Sequence, residues 1–386
     1  MDELRELRQT IRSFVERELL PLEQRFAVGE IDQASLTAVQ KTARASGLWL
    51  LDVPEEHGGA GLNAAQMCVV WEELYRAWVL PARIITVFGP QPGPMLFQCR
   101  GDQVGRYLVP VLEGTATTAF AQTEPGAGSD VAAITTSAVR DHDGWVINGA
   151  KQFITGAGDA DFLQVVCVTG RSADGRRPEL SVFLVDTSLS GVSIDGSDIT
   201  FDGEATWRIA LNNVRVDDGC LLGGVGEGFA LAQGWLIRGR LHQAARSIAL
   251  ADRSLAMATD YARIRRAADK AIIDHQAIGF MLANSFIELQ AVRAYLHRCA
   301  QLHDDGADIR YDAAAIKIMG VETAGRVVDR AVQVHGGAGL MKDLPFGKWA
   351  WDLRSLRLTE GSTEVLRDFI ARGIKSSRAA TTHDLL

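Results

Sequence analysis

Between Phe120 and Asp130 the chain reads FAQTEPGAGSD, which packs hydroxyls, a carboxylate and several small or turn-forming residues into one short stretch. Gly126 and Gly128 lack the Cβ atoms that hold a backbone away from a ligand, so this loop can present its N–H groups to a bound molecule. On these residues alone an ordinary tight turn accounts for it equally well. Near the other end, Thr359-Glu-Gly-Ser-Thr-Glu364 sets two carboxylates, Glu360 and Glu364, around Gly361. The same letters also make a helix stop and restart, with Gly361 breaking one segment and Ser362 or Thr363 capping the next through Phe369. A third glycine run, Gly224, Gly226 and Gly228, imitates a dinucleotide fingerprint. Its spacing is too short for G-x-G-x-x-G, and no acidic residue follows about 20 positions on to hold a ribose, so it reads as a loop. None of the eight histidines falls in a metal-binding spacing, and His275 and His335 read as packed or hydrogen-bonded side chains. No G-x-S-x-G elbow is present, which removes most support for a serine hydrolase. No metal site is expected.

The elements that position these residues follow from periodicity. Leu4, Leu7, Ile11, Phe14, Val15 and Leu19 share one helical face until Pro21 stops it. Asp32, Asn63 and Asp102 are candidate N-caps of three further amphipathic segments. From about Thr117 the period changes to short β-rich runs at 138–140, 145–148, 162–169, 180–186 and 207–216, with turns at Asp143-Gly144 and Asn148-Gly149. After Gly228 long helical stretches return. The order is helices over 1–115, an antiparallel sheet over 116–220 and helices again over 221–376, with a frayed tail over 377–386.

A chain of 386 residues with 47% hydrophobic content can bury more than one core. The net charge of −8 and the absence of a Lys/Arg cluster argue against nucleic acid. Cys68, Cys99, Cys167, Cys220 and Cys299 stand too far apart for a disulfide framework, which fits a reducing cytoplasm. No segment approaches the roughly 20 apolar residues of a membrane helix, and the MDELRELR start carries no apolar run, so neither targeting nor membrane anchoring is expected.

The TEPGAGSD loop at 123–130 resembles the hallmark loop of the acyl-CoA dehydrogenase family, and further segments follow in the family's order. Lys151-Gln-Phe-Ile-Thr-Gly156 is similar to the K-x-W-I-T-N strand end. Tyr261-Ala-Arg-Ile-Arg265 leading to His275-Gln276, Gln333-Val-His-Gly-Gly337, and Thr359 to Glu364 resemble the remaining family segments. The resemblance covers nearly the whole chain. It implies a mainly helical fold with an N-terminal helical domain, a central antiparallel β-domain and a C-terminal domain of four-helix-bundle type over 221–376, and FAD as cofactor. FAD contacts would come from Phe120, Gln122, Thr123, Gly128, Ser129, Phe153, Ile154, Thr155, Ser362 and Glu364. Arg265 and Gln276 would reach the FAD of a neighbouring subunit, which Gln333, Val334, Gly336 and Gly337 would receive. A homodimer or homotetramer follows, because a monomer would hold half a site.

The implied reaction removes a proton and a hydride from adjacent carbons of an acyl-CoA thioester. Glu360 would be the base, and Ser129, Arg240 and Gly361 would touch substrate. A carboxylate at its free value of about 4.3 is a poor match for an α-proton, so an apolar, water-poor setting is expected around it. Charge developing on the thioester oxygen calls for donors, which by resemblance are the Glu360 N–H and a ribityl hydroxyl. Some relatives carry the base just ahead of the residue that Arg240 matches; that place is Gly239 here. The implied electron acceptor is an electron-transfer flavoprotein. Three departures from the family pattern stand out: Ala268-Asp269 replaces F-G after Arg265, the 191–207 connector lacks its arginine, and Thr359 replaces a tyrosine that lines the acyl pocket. Alternatives left open are an oxidase using O2, for which no residue discriminates, a subunit of a hetero-oligomer, suggested by Ala268 and Asp269, and a non-catalytic acyl-CoA-binding homologue, against which Glu360 argues.

Overall fold

The amphipathic start forms helix α1 (Asp2–Phe14), which relaxes into a wider turn over Val15–Leu19 before Pro21, and Ile11, Phe14, Val15 and Leu19 are all buried. The computed structural model describes residues 2–81, 86–172, 175, 177–201 and 203–376, so the expected tail at 377–386 lies outside the described residues. Helix α2 (Gln33–Ala45) is capped by Asp32, which accepts from the Ser35 N–H at 2.6 Å. Helix α3 (Ala64–Leu74) starts on a reciprocal capping box between Asn63 and Gln66. Asp102 does not cap. It falls inside the first turn of its helix, and the next residue, Gln103, reaches back to the Arg100 N–H at 3.1 Å.

The chain divides into two units, Phe88–Leu236 and Met1–Val87 with Ile237–Leu386. The first holds helix α4 (Val109–Glu113) and a sheet of strands β1 (Thr118–Ala121), β2 (Ser137–Asp141), β3 (Gly144–Thr155), β4 (Phe162–Arg171), β5 (Pro178–Asp186), β6 (Val192–Ile199), β7 (Ala205–Val216) and β8 (Leu221–Leu222). Their order is β6-β7-β3-β2-β4-β5-β8, with β1 also on β4. Pairing is antiparallel except where β4 meets β1 and β2 in parallel. Alternation along β4 sends Leu163, Val165 and Cys167 into one core, with Trp145, Phe183 and Ile209. Phe162 and Val166 enter a second, with Leu96, Tyr107 and Leu108. Burial on both faces explains the nearly continuous apolar run of this strand.

Helix α5 (Gly228–Ile264) begins in this unit and continues into the other. The Gly224–Gly228 run ahead of it is a packed loop: the Gly226 N–H donates to Ser181 Oγ at 2.9 Å, and a Cβ on Gly228 would come within 2.7 Å of Leu180 O. The helical unit continues with a hairpin β9 (Arg266–Ala267) and β10 (Lys270–Ala271), then α6 (Gln276–Asp304), α7 (Arg310–His335), α8 (Phe346–Leu356) and α9 (Thr363–Lys375). Buried Glu72 on α3 ties three helices together by pairing with Arg8 of α1 and with Arg293 and His297 of α6. Among the described residues no helix is long and apolar enough to cross a membrane, and no cluster of three metal-ligating side chains occurs. All five cysteines are buried and unpaired.

Candidate functional site

In the sheet unit, β1 delivers the chain into the 122–130 loop, whose shape comes from its own carboxylate. Glu124 N–H donates to Ala127 O at 3.1 Å and Ala127 N–H returns to Glu124 O at 3.2 Å, leaving Pro125-Gly126 at the tip. The Glu124 side chain turns inward and accepts from the Thr135 N–H and hydroxyl, the Thr136 N–H and Lys151 Nζ, all within 2.8–2.9 Å. Lys151, fully buried, spends its other donors on Gln122 O at 3.0 Å and Val166 O at 2.7 Å. Burial alone would raise the Glu124 carboxyl. The bonds from Thr136, Lys151 and Thr135 outweigh it and bring the carboxyl down to about 2. Burial pulls the Lys151 ammonium below the ordinary amine range, against the pull of Cys167 and Glu124.

With its side-chain hydrogen bonds directed inward, the loop turns backbone outward: the Cβ positions of Gly126 and Gly128 meet nothing within 4 Å. Gln152 N–H donates to Thr123 O at 2.9 Å, so the loop lies beside the end of β3. There β3 slips register against β7 between Lys151 and Ile154, a bulge that puts Phe153 at φ 58° and leaves its ring 59% exposed. A bulky residue at positive φ is uncommon and marks strain held by its surroundings. Thus Gln122 and Thr123 lie beside the Lys151–Phe153 stretch of β3, Gly128 and Ser129 are exposed farther along the loop, and Thr155 ends β3. Phe120 packs on Trp235 with ring centroids 5.1 Å apart, and Ile154 faces the sheet core. Only the main chain of Ile154 is available to a ligand.

In the helical unit, Arg265 stands at the foot of the β9-β10 hairpin, where Ile272 N–H closes on its carbonyl at 2.8 Å, and Gln276 opens α6 just beyond. Its turn residues, Ala268 and Asp269, both adopt positive φ, 48° and 62°, in the place where the family pattern has F-G. Gln333 and the glycines Gly336 and Gly337 are exposed at the end of α7, whereas Val334 is buried. His335 is a packing residue: it stacks on Tyr261 at 4.5 Å and its Nδ1 lies 2.7 Å from Ala331 O.

The turn before α9 is held from two helices. Glu360 at φ 53° and Gly361 at φ 96° reverse the chain, and Ser362 caps α9 through the Val365 N–H at 3.3 Å. Glu364 in the first turn of α9 accepts from the Thr363 hydroxyl. From α5, Arg240 Nε donates to Glu360 O at 3.4 Å and Gln243 Nε2 to Thr359 Oγ1 at 2.9 Å. From α7, buried Lys317 donates to Gly361 O at 2.9 Å. The Glu360 carboxylate fills the space left by Gly239, where an added Cβ would lie 2.0 Å from Oε2. Burial lowers both cations, Lys317 to about 8, and attraction to Glu360 opposes the shift in each.

Lys317 and Gln243 went unsingled in the sequence. A lone lysine inside Ala313–Met319 is the signal that would have found Lys317, because an ammonium in an apolar run needs a fixed acceptor. Gln243 carries no comparable signal, since its partner Thr359 is distant in sequence.

Three family models match the chain: acyl-CoA dehydrogenase N-terminal domain over residues 1–115, middle domain over 119–214 and C-terminal domain over 226–375. The chain is 33% identical to (R)-benzylsuccinyl-CoA dehydrogenase of Thauera aromatica, covering 95% of this chain and 94% of that one. It is 32% identical to the caffeyl-CoA reductase-Etf complex subunit CarC of Acetobacterium woodii, with coverage of 93% and 94%. Butyryl-CoA dehydrogenase from Megasphaera elsdenii superimposes with a TM-score of 0.83 at 26% identity, over 97% of this chain and 98% of that structure.

Proposed function

Because the chain belongs to the acyl-CoA dehydrogenase family, we propose that Glu360 is the base that removes the proton α to the carbonyl of an acyl-CoA thioester. The enzyme is an oxidoreductase that converts the acyl thioester to its trans-2-enoyl form. The observation carrying the assignment is the seating of Glu360: its carboxylate occupies the gap at Gly239, while Arg240 and Lys317 hold the carbonyls on both sides of the turn. A base held in one orientation spends no entropy on alignment at the moment of transfer. With those carbonyls committed, the Glu360 N–H is assigned as a donor to the thioester oxygen as negative charge develops there. Ser129, Arg240 and Gly361 are assigned to substrate contact.

The residues of these loops fit FAD. The outward backbone at Gly126 and Gly128 and the raised ring of Phe153 form a rim a planar cofactor can lie against. Phe120, Gln122, Thr123, Gly128, Ser129, Phe153, the main chain of Ile154, and Thr155 would hold it in the sheet unit. From the helical unit, Ser362 and Glu364 are assigned to FAD contact, and Arg265, Gln276, Gln333, Val334, Gly336 and Gly337 to contact with the FAD of a neighbouring subunit. When bound, FAD accepts the hydride released from the β-carbon. Likeness to a subunit of a reductase-Etf complex supports an electron-transfer flavoprotein as acceptor. Exposed Phe280, Phe286 and Ile287 on α6 support burial against another copy, in a homodimer or homotetramer. A cytoplasmic role in fatty-acid metabolism completes the reading.

Glu360→Gln keeps the shape and removes the base. Anaerobic mixing with an acyl-CoA thioester should bleach the flavin of the wild type and do so about 10²–10⁴-fold more slowly in the variant, with flavin content and melting temperature unchanged. Equal bleaching rates would remove Glu360 from the role.

A further inference from the structure

Gln243 stands one helical turn beyond Gly239, on the face of α5 that meets the base turn. Its side chain is almost fully buried, with the residue 6% exposed, and its amide is half used. Nε2 donates to the Thr359 hydroxyl, next to Glu360, while Oε1 has no hydrogen-bond partner among the described residues. A buried carbonyl left without a donor costs about 1–3 kcal/mol. With Nε2 turned to Thr359, the acceptor is the end of the amide left facing away from it. A valine or methionine at 243 would carry none of this cost.

We infer that Gln243 Oε1 is a binding site for a hydrogen-bond donor on the substrate, a hydroxyl or amide N–H on the acyl group, so that this chain selects polar acyl thioesters over plain alkanoyl ones. The inference rests on the reading of Glu360 as the base. Residues four apart on one helix face are separated by about 5–6 Å. With the α-carbon at the Glu360 carboxylate, that span reaches a donor about four bonds farther along the acyl chain, since bonds of about 1.5 Å advance roughly 1.25 Å each in a tetrahedral zigzag. The donor completes the amide that the empty pair leaves unfinished. Thr359 keeps Gln243 from swinging away, in the position where a tyrosine would have closed the pocket with an apolar ring.

The test compares wild type and Gln243→Met with 5-hydroxypentanoyl-CoA, hexanoyl-CoA and glutaryl-CoA, which match in length and place a donor, a methyl or a carboxylate at the fourth bond. Wild type should favour the hydroxyl over the methyl about tenfold or more in kcat/KM, the scale of one buried hydrogen bond, and Gln243→Met should bring that ratio close to one. Should the variant fail to fold, calorimetric affinities of the wild type for the same three thioesters carry the same comparison. A ratio near one in wild type, a ratio unchanged by Gln243→Met, or preference for the carboxylate overturns the inference while leaving the dehydrogenase reading intact. No flavin reduction by any of the three overturns both.

Discussion

Each unit pins its candidate-site loop with a buried ammonium, and the two are compensated differently. Lys151 in the sheet binds a carboxylate and two carbonyls, so its charge is cancelled and its donors are filled. Lys317 in the helical unit donates to the carbonyl of Gly361, feels Glu360 as its main attraction and is pushed by Arg240. Glu364 and Glu322 add weaker attraction. The first arrangement is a permanent fixture of the fold. The second leaves a cation whose proton is held loosely enough to be lost near pH 8, beside the residue proposed as the base. A loop that only presents backbone is served by the first; a turn that holds a carboxylate in place is sensitive to the second.

The largest effect should come from Lys151→Met, which strands the Glu124 carboxylate in the interior. A loss of about 3–5 kcal/mol in denaturant unfolding is expected. Pairing it with Glu124→Gln should recover much of this, because no uncompensated charge remains; a double variant as unstable as the single one would break the distinction drawn above. Lys317→Met should cost less, about 1.5 kcal/mol or under, yet slow flavin bleaching because Gly361 O loses its tether. An unfolding loss as large as that of Lys151→Met would show that both lysines are structural in the same sense.

The smallest effect is the pH response. The folded value of Lys317, about 8, lies below its ordinary 10.5, so the proton favours the unfolded chain and stability rises between these two values. Read downward, that contribution is complete above pH 10.5 and is lost as pH falls through 8. Melting temperature measured against pH should show this rise in wild type relative to Lys317→Met. Glu124, held near 2 from an ordinary 4.5, contributes stability that is complete above pH 4.5 and lost as pH falls through 2.

Much of this architecture is visible in residue patterns. The switch from helical to alternating period near Thr117 locates the sheet, and Asp32 and Asn63 cap where cap chemistry predicts. Strand β6 escapes notice because VSIDGSDI is half polar and largely exposed, an edge strand with little burial to shape its sequence. Strand β1 is only four residues long, and its parallel partner β4 is distant in sequence. At the candidate site, family resemblance picks out the loops but not their supports. Lys317 and Gln243 act through main-chain and hydroxyl partners brought close by packing of separate helices, and such pairings leave no local spacing to read.

Gly239 is where α5 leaves room for a side chain from another element: an added Cβ would lie 2.0 Å from Oε2 of Glu360. Any side chain larger than hydrogen at that place displaces the carboxylate, which is the movable end of the pair. Position 239 therefore acts as a seat whose depth sets how far the Glu360 carboxylate projects from its turn.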